Sequence, residues 1–251
     1  MNSYELAKYL DELLRVREVQ DISNNGLQVE NGGREVRKVG MAVDASLKSF
    51  EEAAKRGIDF LIVHHGIFWG KPELIRGQMY RRVKALLDNG IALYGAHLPL
   101  DIHPEYGNNA VGLKLLGVEK GEPFGDYHGV LLGWEFELPE PMDRDAFKEL
   151  VDSRFATQSL MWPFGPGEVR RGAFVSGGAI SLLPEAIEKK LDVFITGEPS
   201  HAHYWTAVEG GINVILAGHY ATERLGVMAI GEHINEKFGI PIEFIELPTG
   251  H

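Results

Sequence analysis

Three pairs of residues in this chain have the types and spacing of metal ligands. His64-His65 follows directly on Phe60-Leu61-Ile62-Val63. An apolar run of that length reads as a strand covered on both faces, and ligands bind at the carboxyl ends of strands in open α/β sheets. Neighbouring strand side chains point to opposite faces. At the strand end the backbone turns, so both imidazoles can reach one cleft or each can serve a different metal. His97 and Asp101 follow the next apolar run, with Pro99 between them marking a turn. His219 and Glu223 follow residues 214–216, and their spacing of four puts them on one face of a helix that begins by His219. Imidazole and carboxylate together suit Zn, Mn, Fe and Ni. Each pair also has a plainer structural reading. Asp101 could cap a turn, His97 could bond a backbone carbonyl, and Thr222 or Glu223 could favour a helix N-terminus.

Taken together, five or six donors exceed the needs of one tetrahedral ion. They favour two metals a few Å apart with a bridging carboxylate, for which Glu223 is the natural candidate. Such a pair acidifies water and clamps a displacement at phosphorus or carbon. Glu198, His201 and His203 form a further group, as neighbours of the ligands or contacts to substrate. Glu198, His97 and His201 are the candidates for proton transfer. His103 and His128 are weaker candidates. His233 lies inside the last long helix and reads as structural, and His251 as a disordered terminus. The chain has ten His and no Cys. That excludes disulfides, thiolate zinc sites, iron–sulfur clusters and a cysteine nucleophile. No phosphate loop of the GxxxxGK[ST] type and no G-x-S-x-G elbow occurs, and Ser176-Gly177-Gly178 is too short a match for a nucleotide loop.

The elements that must position these residues alternate. A capped helix is expected over 2–15, with Asn2 and Glu5 as a capping box. Strands are expected at 39–43, 60–63, 91–94, 172–175, 193–196, 212–216 and 242–247. Helices are expected near 79–87, 143–154 and 222–237. This is an α/β pattern with mixed, largely parallel sheets and helices outside. The pattern also repeats. Residues 37–44 resemble 170–176, Ile58-Asp59-Phe60-Leu61-Ile62-Val63 resembles Leu191-Asp192-Val193-Phe194-Ile195-Thr196, and both stretches close on His-x-x-x-acid. Glu198 takes the repeat position of His65. The first copy is longer, most simply in the loop at 66–78. Two related α/β domains from an internal duplication follow, 1–125 and 126–251, with the dinuclear site at their interface.

Composition bounds the partners. With 25 Lys+Arg against 36 Asp+Glu, the formal charge is −11. A duplex-DNA binder needs a basic face, so nucleic acid is not the expected partner. No apolar run reaches the ~18 residues of a membrane span. The first 14 residues lack the uninterrupted apolar core of a signal peptide. A cytoplasmic protein with no membrane partner is the expectation.

These residues resemble a family of dinuclear-metal proteins, the GTP cyclohydrolase I type 2 homologues, also described as NGG-interacting-factor-like proteins. The resemblance covers nearly the whole chain. It rests on Asn24-Asn25-Gly26-Leu27-Gln28-Val29, Ile62-Val63-His64-His65-Gly66, Ala96-His97-Leu98-Pro99-Leu100-Asp101, Ile195-Thr196-Gly197-Glu198 and Ala217-Gly218-His219-Tyr220-Ala221-Thr222-Glu223. It implies His64, His65, Asp101, His219 and Glu223 as ligands of two divalent ions, with His97 at or beside the site. It also implies a toroidal homohexamer with the metal pairs facing an internal cavity. Many members carry His-His-Pro where this chain has Gly66, which leaves the ligands intact and alters the loop above them. The expectation is a metal-dependent hydrolase acting on a small, nucleotide-like substrate. The alternative is a non-catalytic metal-binding scaffold, metal carrier or regulatory interaction protein.

Overall fold

The computed structural model describes residues 1–118 and 121–250; His251 lies outside the described residues. The chain divides into two compact units. One comprises Met1–Leu100 with Gly226–Leu247, and the other Asp101–Leu225 with the tail from Pro248 on. The division therefore falls before Asp101 and not at the expected 125/126. Two packing facts account for the difference. Leu113, Leu116 and Val118 already pack with Phe136 and Phe174 of the second unit. The chain's last strand, by contrast, pairs in parallel with residues 39–41 of the first unit.

The strands are β1 (Gly26–Val29), β2 (Val39–Asp44), β3 (Phe60–His65), β4 (Ala92–Gly95), β5 (Glu122–Tyr127), β6 (Val130–Asp143), β7 (Leu160–Pro163), β8 (Glu168–Phe174), β9 (Val193–Thr196), β10 (Asn213–Leu216) and β11 (Ile242–Phe244). The helices are α1 (Ser3–Leu13), α2 (Leu47–Lys55), α3 (Gly77–Asn89), α4 (Leu98–Asp101), α5 (Asn108–Leu115), α6 (Arg144–Phe155), α7 (Leu183–Glu188), α8 (His201–Gly210) and α9 (His219–Phe238). Helix α1 starts at the expected capping box, in which Asn2 and Glu5 satisfy each other's backbone N–H groups. None of these helices is long and apolar enough to cross a membrane.

The sheet of the first unit has the order β1-β4-β3-β2-β11. Strand β1 is antiparallel to β4, and the other junctions are parallel. The first five residues of β3 are buried, as its unbroken apolar sequence requires. The sheet of the second unit has the order β5-β6-β8-β9-β10-β7. Here β8, β9 and β10 are mutually parallel, while β5, β6 and β7 join antiparallel. Successive residues of β9 fill opposite faces: Val193 and Ile195 enter one core cluster and Phe194 the other.

The β5–β6 hairpin and strand β7 carry the main departures from the pattern read in the sequence, and they make the second sheet mixed. Pro139 and Pro141 lie within β6, a strand absent from the expected pattern. Proline cannot donate to a ladder. The β6–β8 pairing accordingly shifts register between Glu137 and Met142.

Both sheets share one arrangement, an antiparallel edge strand followed by three parallel strands. The pairings correspond in register. Val39 faces Phe60 as Gly172 faces Val193, and Phe60 faces Ala92 as Val193 faces Asn213. An aspartate recurs as well, buried at 59 and half-buried at 192. Asp59 accepts from the N–H groups of Arg37 and Lys38, and Asp192 from those of Arg170 and Arg171. Each carboxylate holds the entry of one parallel strand against the next. Hydrogen bonds to a charged group contribute about 1.5–3 kcal/mol. Asp59→Ala and Asp192→Ala are therefore each expected to lower unfolding stability by about 2 kcal/mol, read by chemical denaturation. A variant with unchanged stability would remove that carboxylate from the scaffold.

Candidate metal centre

The first donor set sits at the carboxyl ends of β3 and β4. Strand β3 ends in His64 and His65, whose rings converge on one cluster. The His64 ring is fully buried, and its Nδ1 lies 2.9 Å from the carbonyl oxygen of Ala96, the residue after β4. His65 is the register partner of Asp44 on β2, and its Nδ1 lies 2.8 Å from Asp44 Oδ1. His97 is held by the segment before β1. Its Nδ1 lies 3.0 and 3.1 Å from the two oxygens of Asp21, and its backbone N–H donates to Asn25 Oδ1.

The Asp21 side chain is 2% exposed and also accepts from the backbone N–H groups of Ser23 and Leu98 and from the Asn25 amide. Burial alone would raise its pKa. The hydrogen bond and charge of His97, with the bonds from Asn25 and Ser23, outweigh burial and hold it well below the usual carboxylate range.

One pattern runs through all three rings. A carbonyl or an ionised carboxylate can only accept, so each Nδ1 carries its proton toward oxygen. In the neutral imidazole the basic lone pair is then on Nε2, the arrangement by which metal-ligating histidines are oriented. The ring centroids are 4.8, 5.1 and 5.8 Å apart, and one ring nitrogen from each lies within 4.8 Å of the others. Two donors at about 2.1 Å from one ion are at most ~4.2 Å apart. Shifts of a few tenths of an ångström close the set on an ion.

The second unit has its own donor set. His219 is the first residue of α9 and Glu223 stands one turn along, as the spacing of four implied. His219 Nε2 lies 3.0 Å from Glu223 Oε2, and its Nδ1 lies 3.1 Å from Glu198 Oε2. Gly177 closes over this pair with φ +67°; a Cβ there would collide with Glu223 Oε1 and stand 3.4 Å from His219 Nε2. The backbone thus approaches the donors as only glycine allows. Thr222 secures that approach, its hydroxyl accepting from the Gly177 N–H. Asp101, buried at the end of α4, accepts at Oδ1 from the Asn108 amide at 2.8 Å and the Ser176 hydroxyl at 3.0 Å. Neutral imidazoles and carboxylates without thiolate are a donor set that fits a divalent ion of the Zn, Mn, Fe or Ni kind.

The structure thus groups His64, His65 and His97 in one unit, and His219, Glu223 and Glu198 in the other. His201 is in neither group; it is exposed on the first turn of α8. His203 is half-buried on the same helix. His103 accepts from the N–H groups of Glu105 and Tyr106 and organises a turn. His128 is exposed at the β5–β6 turn, and His233 is 2.5 Å from the hydroxyl of Tyr9. Five residues escape the sequence reading as supports: Asp21, Asn25, Asp44, Asn108 and Ser176. A signal existed for Asp44, an acid at the carboxyl end of the strand beside the His pair.

The Duf34/NIF3 (NGG1p interacting factor 3) family model matches residues 1–250. The chain is 46% identical over 249 residues to the Archaeoglobus fulgidus protein named GTP cyclohydrolase 1 type 2 homolog, with 99% of each covered. It is 46% identical over 252 residues to the Pyrococcus abyssi protein of the same name, with 100% of each covered. Among solved structures, a Thermus thermophilus protein superposes with a TM-score of 0.93 at 43% identity, over 100% of both chains. The protein ybgI, described as of unknown function, superposes with a TM-score of 0.91 at 39% identity, again over 100% of both.

The second donor set makes a pH prediction. Burial disfavours charge on His219, but the hydrogen bond and charge of Glu223, then those of Glu198, outweigh it and raise its pKa from 6.5 to about 9. In chelator-treated protein this stabilisation is fully present below pH 6.5 and is lost as pH rises through about 9. The melting temperature of the wild type should fall over that window relative to His219→Gln. Parallel curves for the two proteins would contradict the assignment.

Proposed function

This chain belongs to the Duf34/NIF3 family, and on that premise we propose that it is a dinuclear metal protein working as a metal-dependent hydrolase on a small, nucleotide-like substrate. The observation that carries the metal reading is the common orientation of His64, His65 and His97, each with Nδ1 on an oxygen. The nucleotide part is supported by the relatives' name, GTP cyclohydrolase 1 type 2 homolog.

His64, His65, Asp101, His219 and Glu223 would hold two divalent ions per chain, of Zn, Mn, Fe or Ni, in the dinuclear centre that the ligand count implies. Bound ions would acidify water and stabilise anionic charge developing on the substrate. The chain's own residues supply orientation and proton transfer. His97 stands with His64 and His65 as the group nearest to hand for a proton. Glu198 is 44% exposed at its side chain and holds His219 Nδ1, so it can pass a proton between solvent and that ring. His201, at the exposed start of α8, would exchange protons with solvent.

We further propose that the two units descend from one duplicated element, an origin supported by their matched strand order and by the Asp59 and Asp192 carboxylates. By the family resemblance, the working form is a homohexameric ring in the cytoplasm.

The test is metal analysis joined to a reaction screen. Protein purified without chelator or added metal should carry about two ions per chain. It should hydrolyse members of a nucleotide and phosphoester panel, and His65→Ala and Glu223→Ala should each abolish turnover. Asp44→Asn, at the carboxylate that holds His65 Nδ1, should keep every ligand yet bind metal about 10–100-fold more weakly. Tight metal binding with no turnover across the panel would overturn the hydrolase in favour of a carrier or scaffold. Metal binding that survives both His64→Ala and Asp101→Ala would overturn the ligand assignment.

A further inference from the structure

The loop that follows the His pair is a built strap. Immediately after β3, Gly66 leaves space that the Gln28 side chain fills; a Cβ at Gly66 would overlap the Gln28 amide. Gln28 uses that space to accept from the Ile67 N–H at 2.7 Å and to donate to the Asn24 carbonyl at 2.7 Å. Residues 22–24 then run beside residues 68–70. The Asn24 N–H donates to the Phe68 carbonyl, the Gly70 N–H donates to the Ile22 carbonyl, and Ser23 bridges Trp69. The same segment carries Asp21 and Asn25, which hold His97. Trp69 is therefore fixed by the backbone that fixes the histidines.

The indole of Trp69 stands against two of the donors. Its ring centroid is 5.0 Å from that of His97, edge to face, and 6.0 Å from that of His65. Its one polar group is already used, because Nε1–H donates to the Gly66 carbonyl at 2.9 Å. Indole has no other donor and no acceptor. What the half-buried ring can still offer a ligand is its π surface. A π surface takes either a cation or another flat ring. With divalent ions on the adjacent imidazoles a cation is repelled, and a flat, neutral ring is not.

We propose that Trp69 is a specificity-determining residue, a stacking platform that selects substrates with a planar heteroaromatic ring, a nucleobase being the obvious class. This rests on the metal-centre reading given under Proposed function and names the part of the substrate that the metals do not recognise.

The test compares two ligands that differ only in the ring. Zinc-loaded wild type, Trp69→Phe and Trp69→Ala are titrated calorimetrically with guanosine monophosphate and with ribose 5-phosphate, and the zinc content of each sample is measured in parallel. Base–aromatic stacking makes a difference of about tenfold or more in affinity. Wild type should prefer the nucleotide by at least that factor, Trp69→Phe should keep most of the preference, and Trp69→Ala should lose it while its affinity for ribose 5-phosphate is unchanged. A wall that only supports His97 would weaken both ligands together. Equal loss for both ligands, a preference that survives in Trp69→Ala, or a zinc-loaded wild type that binds neither ligand or both equally overturns the platform and leaves the metal centre standing. A wild type that takes up no zinc overturns both.

Discussion

An imidazole can offer a lone pair to a metal from one nitrogen only while the other nitrogen keeps its proton, and something must hold that proton in place. In this chain the constraint is met three times in one cluster, once by a carbonyl and twice by a carboxylate. The Ala96 carbonyl holds His64, the Asp44 carboxylate holds His65, and the Asp21 carboxylate holds His97. Much of the local architecture serves these oxygens. Asp44 reaches His65 because β2 and β3 are parallel and in register at their ends. The Ala96 carbonyl reaches His64 because β4 runs parallel to β3 and ends beside it. Asp21 reaches His97 because Ser23, Asn25 and Leu98 supply enough donors to keep a nearly inaccessible carboxylate ionised.

The second unit meets the same need on a different element. There Glu198 follows β9, as His65 ends β3, but it serves as the oxygen that holds a ring and not as a ring itself. The histidine is moved to the first turn of α9, where Glu223 one turn along shares its face. Gly177 and Thr222 bring the preceding loop down on this pair. Two scaffolds with one strand order therefore present different donors from equivalent places.

The sequence pattern made the parallel strands, the capped first helix and the candidate ligands legible, because buried strands write long apolar runs and ligands at their ends interrupt those runs with histidine. It did not make Asp21 or Asn25 legible as supports. They lie in irregular chain before β1, and no periodicity joins position 21 to position 97. Strand β6 is not legible in the sequence, because Pro139 and Pro141 fall within it, and only the register shift against β8 shows how the strand accommodates them. The two units do not follow the two halves of the chain, for a topological reason: parallel pairing of β11 with β2 closes the first unit with residues from far along the chain. The orienting oxygens, which argue hardest for metal, were the part least visible without coordinates.

The central claim is that the His64 and His65 rings present Nε2 to bound metal with Nδ1 turned to protein oxygen. Anomalous diffraction from crystals of protein purified without chelator tests it most directly. The account predicts anomalous peaks about 2.0–2.1 Å from Nε2 of His64 and His65, with the Nδ1 contacts to Ala96 and Asp44 intact. Peaks bonded through Nδ1, or ordered rings with no peak beside them in protein shown to contain metal, would contradict it.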